Sequence, residues 1–118
     1  MLPNVGYPRN LLISLERLLK AKGILAENTI SRGWRELTNG NLVNEAVNSG
    51  FTCLVTRDLD FAKSAERALK DNDRFAAVVL TLPQARRKDW LEHFEKCWLE
   101  YPIVPIPGKL IFWPKSNK

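Results

Sequence analysis

Residues 75–82 read FAAVVLTL, a nearly unbroken apolar run rich in valine and closed by Pro83. A strand with one face in water alternates apolar and polar residues. This run does not, so it predicts a strand covered on both faces, the pattern of parallel sheets. At eight residues it is far too short to cross a bilayer, which takes roughly 20. The chain must therefore supply helices for both faces of a sheet.

The rest of the chain supplies them. Residues 10–22 (NLLISLERLLKAK) place Leu11, Leu12, Leu15, Leu18 and Leu19 on one face at helical spacing. Pro8 suits the entry to that helix and Gly23 its end. A short extended piece is expected over residues 25–30. Thr38 or Asn39 can cap a second helix whose inner stripe is Leu42, Val43, Ala46 and Val47, with Gly50 as its stop. Residues 52–56 then predict a strand, 61–70 a short helix, and 84–100 a helix burying Trp90, Leu91, Phe94, Cys97 and Trp98. The closing IVPIPGKLIFW predicts two extended pieces joined at Pro107 and Gly108. Strands alternating with helices predict an α/β domain with a mostly parallel sheet, a single unit over residues 1–118.

Composition narrows the chemistry. With 45% hydrophobic and 26% charged residues the 118-residue chain is neither disordered nor membrane-spanning in character. A basic segment followed by a hydrophobic one is missing at the N-terminus, so a cytoplasmic location is expected. Two cysteines, Cys53 and Cys97, read as reduced core thiols, and one histidine, His93, makes a zinc site a poor fit. Neither a Gly-rich phosphate loop nor a Gly-x-Ser-x-Gly elbow occurs. Glu16, Glu66 and Glu95 fall on helix positions expected to face solvent. The net charge of +5 favours an acidic partner such as nucleic acid, or serves only solubility. Arg86, Arg87 and Lys88 form one basic run, and Arg57 and Lys63 flank another candidate position for phosphates. Nearby aromatics (Trp90, Phe112, Trp113) suit either base stacking or the core.

That other position is CLVTRDLDF, residues 53–61, where a strand stops at Asp58 and Asp60. Ligands in parallel sheets sit outside the carboxyl ends of strands, and this pair lies at such an end. Two carboxylates at i, i+2 spacing can hold a hard divalent cation, Mg²⁺ or Mn²⁺, which activates water for phosphodiester cleavage. The competing reading is purely structural: Asp60 caps a helix beginning at Phe61 and Asp58 makes an Asx-turn. Glu45, one turn after Asn41 on the second helix, is a candidate third acid.

The order GWRELTNGNLVNEAVNSGFTCLVTRDLDF, then FAAVVLTLP, then PGKLIFW, resembles the small PIN-like proteins of the DUF5615 type. These are predicted nucleases often linked to toxin–antitoxin systems. The resemblance runs from about Pro8 to Trp113 and implies a three-layer α/β/α sandwich around a central parallel sheet. It implies RNA as substrate, Mg²⁺ or Mn²⁺ as cofactor, and Asp58 and Asp60 as metal ligands. The sequence departs from the family pattern at Asn4, Val5 and Asn41, which stand where acidic residues are usual. The site is then partly degenerate, with Glu45 as a possible catalytic substitute. The alternative is an inactive PIN-like module that binds nucleic acid or a protein partner. A neutralising antitoxin-like protein or a second copy, docked on the apolar IFW stretch, would be such a partner.

Overall fold

A computed structural model describes residues 1–3, 9–34, 37 and 39–114. Among these, four strands and four helices alternate as a mixed α/β fold: β1 (Leu2–Pro3), α1 (Arg9–Ala21), α2 (Asn39–Asn48), β2 (Cys53–Thr56), α3 (Leu59–Ala68), β3 (Ala76–Leu80), α4 (Arg87–Glu100) and β4 (Leu110–Trp113). The strands form one parallel sheet in the order β1-β2-β3-β4. Every residue of β2 and β3 is buried, as the unbroken apolar run requires. The extended piece expected over residues 25–30 has no strand assignment, yet its backbone runs along β1: Met1 N donates to Leu25 O at 2.7 Å, and Glu27 N and Thr29 N donate to Met1 O and Pro3 O at 3.3 and 3.2 Å. Of the two closing extended pieces only β4 forms.

The two faces of the sheet carry different cores. Cys53 and Val55 of β2, Val78 and Leu80 of β3, and Trp113 of β4 join the leucines of α1 and Trp90 and Phe94 of α4. Leu54 and Ala77, facing the other way, join Leu42, Val43 and Ala46 of α2 and Ala65 of α3. The alanines matter on this side: Ala62 and Ala65 are fully buried, and Ala77 has no side chain beyond Cβ to hold α3 away. On the opposite face the spacing is set by aromatics. Trp90, Phe94 and Trp98, four residues apart, form a stacked ladder with centroid separations of 5.6 and 5.7 Å. Trp113 meets Phe94 edge-on at 5.0 Å and donates its indole N–H to Tyr101 O at 2.7 Å. Trp90 and Trp113 are thus committed to the core, and only Phe112 of the aromatics proposed for stacking is exposed.

The β2–α3–β3 and β3–α4–β4 crossovers step the same way across the sheet but pass over opposite faces. They therefore have opposite hands, and one departs from the right-handed rule that about 98% of such units follow. The chain leaves the carboxyl ends of β2 and β3 in diverging directions, the arrangement that opens a crevice in α/β sheets.

Glu16 departs from its expected solvent position. Its carboxylate accepts from the Asn28 backbone and side-chain N–H groups, both at 2.9 Å, and pairs with Lys20 at 3.2 Å. Asn28 is buried, and its Oδ1 accepts from Ser31 N at 2.9 Å. A buried amide must find partners, and α1 supplies one. Glu95 likewise pairs with Lys22, tying α4 to the end of α1. Among the described residues, no helix is long and apolar enough to cross a membrane.

Two consequences can be measured. Burial pushes the Cys53 thiol up to about 12, and Cys97 is raised by its own partial burial and by Glu100. At pH 8 the native chain is expected to leave Cys53 unreacted with a thiol-specific reagent, with full labelling only in denaturant. The raised thiol also means that its contribution to stability is present below pH 9 and lost as pH rises toward 12. Gly108 is the second case. Its φ is +75°, its N–H donates to Phe75 O at 2.8 Å, and an added Cβ would lie 3.1 Å from Asp73 O. Gly108→Ala is expected to lower stability by about 1–3 kcal/mol, read as a lower urea midpoint.

Candidate functional site at the carboxyl ends of β2 and β3

Thr56 ends β2 and its buried hydroxyl accepts the Asp58 N–H at 3.1 Å. That contact turns the chain out of the sheet. Asp58 then caps α3: its backbone is extended, and its Oδ1 accepts the Phe61 N–H at 3.1 Å. The first intrahelical bond closes from Ala62 N to Asp58 O at 2.9 Å. The cap is therefore Asp58 rather than Asp60, and the helix begins two residues earlier than the sequence pattern placed it. Asp60 falls in the first turn.

This placement accounts for the Asp-x-Asp spacing without a ligand. A side-chain acceptor at the cap contributes about 0.5–2 kcal/mol. A carboxylate in the first turn gains about 0.3–1 kcal/mol from the helix dipole. The same dipole presents partial positive charge to anything bound there, which favours anions and opposes a cation.

The proposed companions of the pair are distributed as follows. Asn4 lies outside the described residues. Asn41 and Glu45 are exposed on α2. Asn44, next to Glu45, accepts from Asn72 Nδ2 at 3.1 Å. Asn72 also donates to Ala68 O at 2.9 Å, so it sits at the C-terminal end of α3. A ten-residue helix is about 15 Å long, and Asp58 stands at its other end. Glu45 therefore lies toward the end of α3 remote from the Asp pair. Among the described residues, no three Asp, Glu, His or Cys side chains gather as a metal-binding group. Two carboxylates at a helix N-terminus, one of them already capping, fit a divalent cation poorly.

The basic candidates follow the same two strands. Thr56 of β2 pairs with Val79 of β3, so the two strands end side by side. Arg57 leaves that edge directly, half-buried. Arg86 lies six residues after Leu80, and Arg87 and Lys88 follow it, all three exposed at the start of α4. Lys63 is exposed on α3 and borders a separate groove with Arg67, Lys70 and Lys109.

The sequence reading overlooked an open cleft of about 930 Å³ at the opposite, amino-terminal end of the sheet, lined by Glu16, Glu27, Arg32 and Phe51. Its charges are largely matched within the chain. Arg32 reaches Glu27 at 3.5 Å and lies over Trp34 and Phe51, 4.7 and 5.4 Å from the ring centroids. The stretch ENTISRGW held a signal for this, since an arginine beside a tryptophan is a cation–π candidate.

No protein-family model, curated protein or solved structure matches the chain.

A cap and a metal ligand respond differently to amidation. Asparagine caps helices about as well as aspartate, whereas alanine does not. Asp58→Ala is expected to cost about 1 kcal/mol in chemical denaturation, and Asp58→Asn to remain near wild type.

Proposed function

We propose that the chain is a PIN-like three-layer α/β/α sandwich that binds RNA without cleaving it, at the carboxyl ends of β2 and β3. The reading is supported by Arg57 directly after β2 and by Arg86, Arg87 and Lys88 on the segment that follows β3, two strands that lie side by side in register. Helices cover both faces of the sheet, in keeping with a sandwich. The overall charge of +5 has the sign that phosphates require. The acidic pair serves the α3 terminus, and the neutral Asn41 removes one of the family's usual charges. Asp58 and Asp60 then stand as a remnant.

A second reading, a Mg²⁺- or Mn²⁺-dependent ribonuclease of toxin type, is favoured by one fact: both Asp58 and Asp60 are exposed at that same edge. Because the residues present fit the ion poorly, no catalytic step is derived through it.

One experiment separates the two. Labelled single-stranded RNA is titrated with the chain at several salt concentrations, with and without Mn²⁺, and the RNA is then run on a denaturing gel. The expected outcome is salt-dependent binding with intact RNA. Arg86→Ala with Arg87→Ala should reduce the slope of log affinity against log salt by roughly 1.4, about 0.7 per lost phosphate contact. Cleavage that disappears in Asp58→Asn with Asp60→Asn would establish the nuclease reading instead. Unaltered affinity in the double-arginine variant would overturn the binding assignment.

A further inference from the structure

The outer edge of the sheet is β4, whose backbone groups can be assigned one by one. Ala77 N donates to Lys109 O at 3.1 Å and Thr81 N to Trp113 O at 2.8 Å. A parallel strand uses alternate residues toward one neighbour, so residues 109, 111 and 113 bond to β3. Leu110 and Phe112 direct their N–H and C=O groups outward, and among the described residues no strand pairs with them. Open groups of this kind are a template for one more extended backbone.

The surface beside the edge is basic. A groove of about 700 Å³ opens between α3 and the start of β4, bordered by Lys63, Arg67, Lys70 and Lys109 and by two acids, Glu66 and Asp73. All six are exposed. Among the described residues none of the four cations enters an ion pair. Leu110 lines the same groove and packs on the α3-facing core. Phe112, two residues on, shares that face and is 48% exposed.

We propose that β4 takes up an acidic segment of a partner protein as an added strand. The occupant has to meet two features at once, the open amides of the edge and the unpaired positive charge beside it. A nucleic acid answers the charge but has no regular row of N–H and C=O groups for the edge. A second copy of this chain answers the amides but brings its own charge of +5. An extended acidic peptide answers both. The spacing agrees with this. Lys63, Arg67 and Lys70 extend over about 10 Å along α3 and its last turn. Alternate residues of a strand lie about 6.6 Å apart, so two or three side chains facing α3 cover the same length. Aspartate or glutamate at those places meets the cations. The residues between them turn to the other face, beside the half-buried Ile111, where β-branched side chains fit. The ligand is therefore a short strand in which acidic and β-branched residues alternate.

Such a contact is smaller than the roughly 1,200 Å² of a standard stable interface. It is a reversible capture of a peptide, carried by main-chain hydrogen bonds and charge, rather than a permanent assembly. It uses none of Arg57, Arg86, Arg87 and Lys88, so it does not rest on the RNA reading.

Fluorescence anisotropy with a labelled, end-capped peptide of alternating glutamate and valine tests the capture. Binding is expected at micromolar concentrations and should weaken as salt rises, while an alternating lysine–valine peptide should not bind. Lys63→Gln with Lys70→Gln should weaken binding roughly fivefold. Phe112→Pro removes an outward N–H and no bond to β3. It should bind roughly fivefold more weakly than Phe112→Ala, which lacks the ring but keeps the donor. Each variant is expected to keep the far-UV circular dichroism of the wild type. Saturating peptide should slow hydrogen exchange of the Leu110 and Phe112 amides by roughly tenfold or more, leaving Ile111, already bonded to β3, unchanged. A wild-type chain that does not bind the acidic peptide overturns the proposal. So does a bound peptide that leaves both outward amides unprotected, equal affinity for the lysine–valine peptide, or equal binding by Phe112→Pro and Phe112→Ala. Single-stranded RNA that loses affinity in the double-glutamine variant, with no acidic peptide bound, would give the groove to nucleic acid instead.

Discussion

β2 and β3 are buried along their whole lengths, with apolar side chains on both faces of the sheet. Two requirements follow from that burial. The amides of both strands must be paired on each side, because buried N–H and C=O groups without partners are costly. Both faces must also be covered. β1 and β4 meet the first requirement by flanking the central pair. The helices meet the second, α1 and α4 on one face and α2 and α3 on the other. Every other element is placed by its duty to these two strands.

The covering helices solve their packing by different means. α3 brings small residues to the sheet: Ala65 shares a core with Ala77, and Ala62 is also fully buried. α4 stands off behind its ladder of Trp90, Phe94 and Trp98, which grips Trp113 and so anchors the last strand. The anchoring uses only the inward half of β4. Its amides at Leu110 and Phe112 point away from β3, and among the described residues no strand pairs with them.

At the other functional position the controlling force is the dipole of α3. Asp58 and Asp60 take the cap and first-turn places, where carboxylates are stabilised by uncompensated N–H groups. A cation brought to the same place would meet those groups as a repulsive field. The proposed anionic partner rests on the basic residues that follow the neighbouring strands β2 and β3. One local cause, a helix N-terminus at the end of a buried strand, accounts both for the acidic pair and for the weakness of a metal reading.

Much of this was legible from short-range patterns. The unbroken FAAVVLTL required a doubly covered parallel strand, and the spacing of α1 named Leu11, Leu12, Leu15 and Leu19 as buried, with Leu18 only partly so; in α2 the expected stripe held at Leu42, Val43 and Ala46, while Val47 is exposed. Gly23 and Gly50 marked helix ends, where both adopt positive φ. What sequence could not resolve were choices between local partners. Whether Asp58 or Asp60 caps depends on one turn of backbone, and that turn is set by the Thr56 hydroxyl. Glu16 looked solvent-facing by periodicity, yet it binds Asn28, twelve residues away across a turn with no periodic signal. Glu45 seemed near the Asp pair by its place one turn after Asn41. Its position along α3 was decided only when Asn44 met Asn72. The sequence by itself determined the α/β class, the helix faces and the strand cores, because these follow from the repeat of apolar residues along the chain. Only the tertiary structure decided the face over which each crossover passes, the end of α3 nearest Glu45 and the open edge of β4, because these depend on contacts between residues far apart in sequence.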